Sequence, residues 1–415
     1  MTAHTTRTKL PLKLIATADG RDAFALRDYL TRSEVPFLSI VVPADSTAAE
    51  GIRLDGRTLP IVRFADGTVL DDPTPGQVAA ALGWVKPPAR SAYDLIIYGA
   101  GPAGLSAAVY AASEGLDVAV VERDAVGGQA GFSSLIENYL GFPHGVSGAE
   151  LADRARQQAV TFGAELILMR SGIDRTFTDH DVRAVLADGS EVRARAAISA
   201  TGVRWRKLGL AGEEAFEGAG IYYGAGTSEA AACIGLHVYV VGGANSAGQA
   251  AMNLSAHAAH VTILVRGESL SSTMSAYLLD RLAAQPNVTI LVNTRVTAVD
   301  GDITLHELTL DQAGSTVQVP ASHLFVCIGG APNTEWAAST DVRLDARGFV
   351  LTGVDLTSRD LGAWPLQRPP LYLETSVPGI FAAGDVRANS VKRVASAVGE
   401  GAMAVTLVHR YLADH

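Results

Sequence analysis

The sequence predicts an α/β chain in which two nucleotide-binding βαβ units follow a smaller N-terminal α/β domain. Two observations carry this. Residues 94–98 and 238–241 read as buried strands, each leading straight into a glycine-rich turn and then a helical stretch rich in small residues. Ahead of them, residues 11–82 read as strand, helix, strand, then hairpin and helix. The chain of 415 residues is longer than one hydrophobic core usually organises. With 48% hydrophobic residues, 18% charged residues and 42 glycines, its composition is that of a folded α/β protein.

In the N-terminal part, residues 12–16 and 36–42 are the first two strands, and 22–33 has helical period between them. A strand at 59–64 with Pro60 near its start, the turn Ala65-Asp66-Gly67-Thr68 and a closing helix at 77–82 follow. This order resembles the thioredoxin and glutaredoxin fold, which implies a cis proline at Pro60 and a CxxC after the first strand. The stretch in that place is Thr17-Ala18-Asp19-Gly20-Arg21-Asp22, which has no thiol, so thiol exchange by this domain is not expected. Residues 83–92, with Pro87 and Pro88, have no periodic pattern. The expected division is a thioredoxin-like domain at 1–86 and a linker at 87–92.

The first glycine-rich turn is Gly99-Ala100-Gly101-Pro102-Ala103-Gly104. In such a turn the first glycine permits the bend, the second lets the backbone approach a pyrophosphate, and the third allows close helix-to-strand packing. A second strand at 116–121 ends in Glu122-Arg123, where an acid can accept hydrogen bonds from a ribose diol. The second turn is Gly242-Gly243-Ala244-Asn245-Ser246-Ala247, with Ala244 in place of the middle glycine. The strand after it, at 261–265, ends in Arg266, where an arginine can meet a 2′-phosphate, so NADPH is favoured over NADH. Both turns read as Rossmann-type dinucleotide sites.

A formal charge of −10 gives no excess of Lys and Arg to neutralise a phosphate backbone, so a nucleic acid partner is not expected. No apolar run reaches the roughly 18 residues of a membrane span. Residues 1–10 are polar, without a signal-peptide core, and the expectation is a cytoplasmic protein. Cys233 and Cys327 stand far apart, in neither CxxC nor metal-ligand spacing. They read as packing residues, and no metal site is expected.

Further motifs follow in order: Gly127-Gly128-Gln129, Glu137-Asn138-Tyr139, Ala200-Thr201-Gly202, Ile328-Gly329 to Pro332-Asn333, and Gly379 through Gly384-Asp385-Val386-Arg387. With these, the chain from Tyr93 onward resembles bacterial thioredoxin reductases and their low-molecular-weight flavoprotein relatives. The resemblance implies an FAD domain at 93–208 and 332–415, an NAD(P) domain at 209–331, and a homodimer. It also implies that Asp385 meets the FAD ribityl chain and that Gln129, Asn138, Lys392, Arg393 and Val394 line the flavin ring. A helix at 390–407 would carry Lys392 and Arg393 in its first turn, and its positive end would favour negative charge on reduced flavin.

The sequence departs from that family where Cys-x-x-Cys-Asp should precede the second turn and Ala225-Gly226-Thr227-Ser228-Glu229 stands instead. Without this relay, disulfide reduction by the family route is not expected. Electrons from NADPH or NADH would pass to a small-molecule or protein acceptor other than a disulfide, such as ferredoxin, quinone or oxygen. Ferredoxin-NADP reductases of the same fold also lack the pair, and a thiol-exchange domain ahead of such a flavoprotein resembles alkyl hydroperoxide reductase flavoproteins. A flavin-binding regulatory protein and a flavoenzyme oxidising an organic substrate directly are the alternatives. Glu229 reads equally as a proton donor or a helix-start carboxylate, and no catalytic residue is assigned. Tyr222 and Tyr223 adjoin this segment, as flavin contacts or as packing. The family's His-Arg-Arg run is reduced to Val265-Arg266-Gly267, and residues 355–373 form a Trp- and Pro-containing insertion.

Overall fold

The computed structural model describes residues 12–17, 20–43, 45–49, 51–170, 172–177, 181–224, 227–362 and 364–414, with the main chain alone at 172–177, 227 and 228. Ala18, Asp19, Ala225 and Gly226, which the sequence reading singled out, lie outside the described residues. The chain divides into two compact units, residues 1–82 with 207–327, and residues 83–206 with 328–415. The N-terminal segment lies in the same compact unit as residues 207–327.

That segment holds a four-stranded sheet in the order Phe37–Val41, Leu12–Ala16, Ile61–Arg63, Val69–Asp71, with only the first pair parallel. The Leu59–Pro60 peptide is cis. The hairpin strand begins at Ile61, two residues later than expected, because Pro60 has no N–H for the ladder and offers only its carbonyl, to Asp72 N at 2.8 Å. Helix Arg21–Arg32 buries Ala23, Leu26, Tyr29 and Leu30 at helical spacing. Helix Pro75–Ala81 starts two residues before the expected 77 because Thr74 and Gln77 form a capping box ahead of the proline. Two short strands, Ala48–Ala49 and Ile52–Arg53, which the sequence reading missed, bring Ile52 over Ile15 and Ile61.

The second part of this unit is a parallel sheet in the order Ile221–Tyr223, Leu324–Val326, His237–Val241, His260–Leu264, Val288–Leu291. Helices Asn245–Ser255 and Ala276–Ala283 cover it with Ala247, Ala251, Leu254, Leu278 and Leu282. An antiparallel three-stranded sheet, Thr294–Gly301, Leu305–Gln312 and Ser315–Pro320, completes the unit.

The other unit is built on Ala92–Tyr98, which lies between the parallel strands Val118–Glu122 and Glu191–Ser199, with Glu165–Leu168 outside the first and Ile380–Ala382 paired to the second. Strands of this kind are buried on both faces, which is why 95–98 read as a continuous apolar run. Helix Pro102–Ser113 packs against the C-terminal helix Val394–Asp414 so closely that a Cβ on Gly401 would stand 2.1 Å from the Ala103 carbonyl oxygen. The C-terminal helix starts at Val394 and not at 390, so Lys392 and Arg393 precede it. Lys392 Nζ instead donates to the Asp385 carbonyl at 2.6 Å and to Ser390 Oγ at 2.7 Å.

Candidate functional site

The first glycine-rich turn sits where Ala92–Tyr98 gives way to helix Pro102–Ser113. Gly99 adopts φ +100°, and a Cβ there would lie 2.4 Å from the Ala200 carbonyl oxygen. A Cβ on Gly104 would lie 1.8 Å from the Gly99 carbonyl oxygen. Gly101 caps a helix that has no side-chain cap, leaving first-turn N–H groups for an anion. It faces Gly128, with Pro102 and Ala103 forming the first helical residues.

Glu122 is 9% exposed, and its carboxylate accepts Ala100 N at 2.7 Å and Asp124 N at 2.9 Å. Burial pushes its carboxyl above the ordinary range, and the two N–H groups oppose that shift. Arg123 beside it is exposed.

Around this turn the structure gathers most of the remaining predicted residues. Gln129 lies in the short helix Gly128–Phe132, and its Nε2 is buried with no acceptor among the described residues. A buried donor left unpaired fits a ring acceptor supplied by a bound group. A cavity of about 250 Å³ beside the turn is lined by Pro102, Gly127, Ala130, Tyr139, Val394 and Val398. Asn138 is exposed on the loop after Ile136. Thr201 is committed to the protein: its hydroxyl donates to the Asn333 carbonyl at 2.8 Å, while Asn333 returns Nδ2 to the Thr201 carbonyl and its N–H to Gly202.

Gly384 and Asp385 form a short turn after Ile380–Ala382. Burial, the largest cause, raises the Asp385 carboxyl above its usual range, against the nearby Lys392 charge. This turn is held by a network that sequence reasoning missed. Glu400, on the C-terminal helix, accepts Gly384 N at 2.7 Å and Arg387 Nη2 at 2.7 Å, and Asp355 lies 3.7 Å from the same guanidinium. No local pattern links Glu400 to Gly384, so only packing reveals the pair.

The second turn is built differently. Gly242 has φ +149°, and a Cβ there would stand 2.4 Å from the Cys327 carbonyl oxygen. Asn245 Oδ1 is taken up by Ser275, accepting its N–H at 2.7 Å and its hydroxyl at 2.9 Å. The Thr273 hydroxyl donates to the Gly243 carbonyl. Ser246 and Arg266 are exposed. Glu229 is buried in the short helix Thr227–Ala230.

Tyr222 is a packing residue, stacked 5.3 Å from Phe325, and Tyr223 carries Lys207 Nζ 5.9 Å from its ring centre. Cys233 is 0% and Cys327 is 4% exposed, and burial pushes both thiols up to about 12. The insertion is anchored where Arg368 forks onto the fully buried Glu374 at 2.6 and 3.1 Å. Among the described residues no helix is long and apolar enough to cross a membrane.

Residues 93–401 match the family model for pyridine nucleotide-disulphide oxidoreductase. A thioredoxin reductase of Listeria innocua is 33% identical over 78% of this chain and 94% of its own. The crystal structure of Lactococcus lactis thioredoxin reductase superposes with TM-score 0.70 at 25% identity, covering 78% of this chain and all of that one. The thioredoxin reductase of T. acidophilum gives 0.69 at 28% identity, over 77% and 99%.

The expectation of a non-disulfide acceptor does not stand. A family defined by its disulphide chemistry covers residues 93–401, and relatives at 33% identity are named thioredoxin reductases. The chain is an FAD-dependent oxidoreductase that works with a pyridine nucleotide, and it belongs to the pyridine nucleotide-disulphide oxidoreductase family.

Proposed function

We propose that this protein uses NADPH to reduce disulfides, with FAD resident, and that electrons reach the acceptor disulfide without a thiol pair of the chain's own. The state of its two cysteines carries the reading. Both are buried, both thiols are pushed up to about 12, and thiolate rather than thiol is the exchanging species.

FAD, when bound, takes a hydride from the nicotinamide and returns two electrons to the acceptor. The chain's residues hold and tune it. Gly99, Gly101, Pro102, Ala103, Gly104 and Gly128 form the pyrophosphate cradle, and Glu122 with Arg123 meets the adenosine end. Gln129 donates to the ring. Gly384 and Asp385 take the ribityl chain, with Asn138, Thr201, Gly202, Lys392, Arg393 and Val394 around the flavin. On the other unit Gly242, Asn245, Ser246 and Arg266 take the nucleotide. The sheet order of the N-terminal segment supports a thioredoxin-like domain over 1–86, and the relatives support a homodimer, which sedimentation would test.

The deciding experiment is anaerobic double mixing. The protein is reduced with NADPH, then mixed with cystine while flavin absorbance is followed. Reoxidation by cystine, with two thiols formed per NADPH, supports the proposal. A flavin that NADPH bleaches, that cystine and oxidised thioredoxin leave bleached, and that oxygen alone restores would overturn it.

A further inference from the structure

The N-terminal segment is seated on one face of the nucleotide-binding part of its unit by a small set of specific contacts. Arg21, in the first turn of helix Arg21–Arg32, donates to the Glu214 carbonyl at 2.8 Å. The Phe24 ring lies 5.2 Å from that of Tyr222, tilted by 57°. Tyr222 stacks in turn on His323 at 5.5 Å and Phe325 at 5.3 Å, so Phe24 extends an aromatic stack rooted in the parallel sheet. Gly218, at φ +77°, makes room for it: a Cβ there would stand 2.9 Å from a Phe24 ring carbon.

Phe24 is not among the residues with which the helix packs its own sheet, which are Ala23, Leu26, Tyr29 and Leu30. Half-buried, its ring meets Tyr222 and passes over Gly218 instead. The same helix lies against Thr227–Ala230, part of the segment that stands where the resembled family carries Cys-x-x-Cys-Asp.

A folded protein presenting a disulfide at that helix would need a docking face of about 800 Å² per partner. Here helix Arg21–Arg32 already lies against that short helix and is covalently tied to the chain, so an outside protein must compete with a neighbour held at high effective concentration. A small disulfide needs no such face. We infer that the substrate of this enzyme is a low-molecular-weight disulfide and not one displayed on a folded protein. The inference rests on the disulfide reading above, and the overall conversion is NADPH, one proton and one disulfide to NADP⁺ and two thiols.

The test uses the full chain with FAD bound. NADPH consumption is measured with cystine and with oxidised thioredoxin, for the wild type and for the double variant Arg21→Ala, Phe24→Ala. Trypsin cleavage after Arg90 reports release of the N-terminal segment. Gly218→Leu, which pushes on Phe24 from the other side, is the second route should the first variant fold poorly.

The expected result is a wild type at least tenfold faster with cystine than with thioredoxin, and a released variant in which that ratio falls while the cystine rate holds. Equal wild-type rates, or release with no change in the ratio, overturn the inference. Flavin reduction by NADPH with neither disulfide consumed removes the functional reading itself, and the inference with it.

Discussion

Replacing Glu400 by Gln tests whether the buried network around Gly384 sets the flavin site. Glu400 is held at 14% side-chain exposure against Arg387 at 6%, and its two oxygens serve Arg387 and the Gly384 N–H together. Glu400→Gln preserves the shape and one acceptor but removes the charge. It therefore loses the difference between charge-assisted and neutral hydrogen bonds, about 2 kcal/mol. Glu400→Ala, which strands the guanidinium with only Asp355 at 3.7 Å, costs about 3–5 kcal/mol.

If the Gly384–Asp385 turn binds FAD in the conformation this network holds, ~2 kcal/mol appears as roughly thirtyfold weaker FAD binding. That is read by titrating apoprotein with FAD and following flavin fluorescence. The charge supplies a second readout. Glu400 contributes to the raised Asp385 carboxyl, so removing it moves that titration to lower pH. A carboxyl whose folded value is raised favours the protein below its unfolded value and loses that contribution as pH rises. The loss of apoprotein stability with rising pH through the carboxylate range therefore shrinks in Glu400→Gln. Wild-type FAD affinity within threefold, together with an unshifted pH profile, would refute the reasoning.

Gly104→Ala places a methyl against rigid backbone 1.8 Å away, so the helix must shift; the expected cost is about 3 kcal/mol and a purified protein low in bound FAD. Full FAD occupancy at normal stability would exclude that account. Gln129→Leu removes a buried donor that has no partner among the described residues, so the apoprotein should be no less stable while FAD binding weakens by about tenfold; the opposite pattern would show that Gln129 serves the fold. Cys233 and Cys327, both buried with thiols pushed up to about 12, should resist iodoacetamide at pH 8 until denaturant is added, as mass spectrometry would show. Labelling of either within minutes in the native state would contradict the burial argument.

The parts of this molecule legible in its sequence are those where physics leaves one residue type possible. Gly99 and Gly104 are demanded by backbone carbonyls that a Cβ would strike, so they mark the turn wherever it occurs. The apolar run ahead of them is equally forced by burial on both sheet faces. The start of the C-terminal helix is not legible in the same way, because Lys392 and Arg393 are compatible with a first helical turn and only the bonds of Lys392 to Asp385 and Ser390 decide otherwise. Glu400 with Gly384, and Phe24 with Tyr222, could not be read at all. Each pair joins segments without a shared period, and the physical requirement exists only after the chain has folded.

The two glycine-rich turns separate what the fold requires from what a ligand requires. Gly242 and Gly99 are both fixed by neighbouring carbonyls, so neither can be lost without loss of the turn. The middle positions are different. A Cβ on Gly101 would find nothing closer than Gly128 Cα at 3.9 Å, and Ala244 sits at φ −118°, which any residue adopts. Glycine at the middle position is therefore not demanded by either fold; it matters only for how closely a pyrophosphate can approach. The first turn keeps that glycine and the second has a methyl group in its place, while Asn245 is occupied with Ser275. On the proposed assignment of FAD to the first turn and the nucleotide to the second, close approach is retained for the cofactor that stays through many turnovers and relaxed for the nucleotide that must leave after each one.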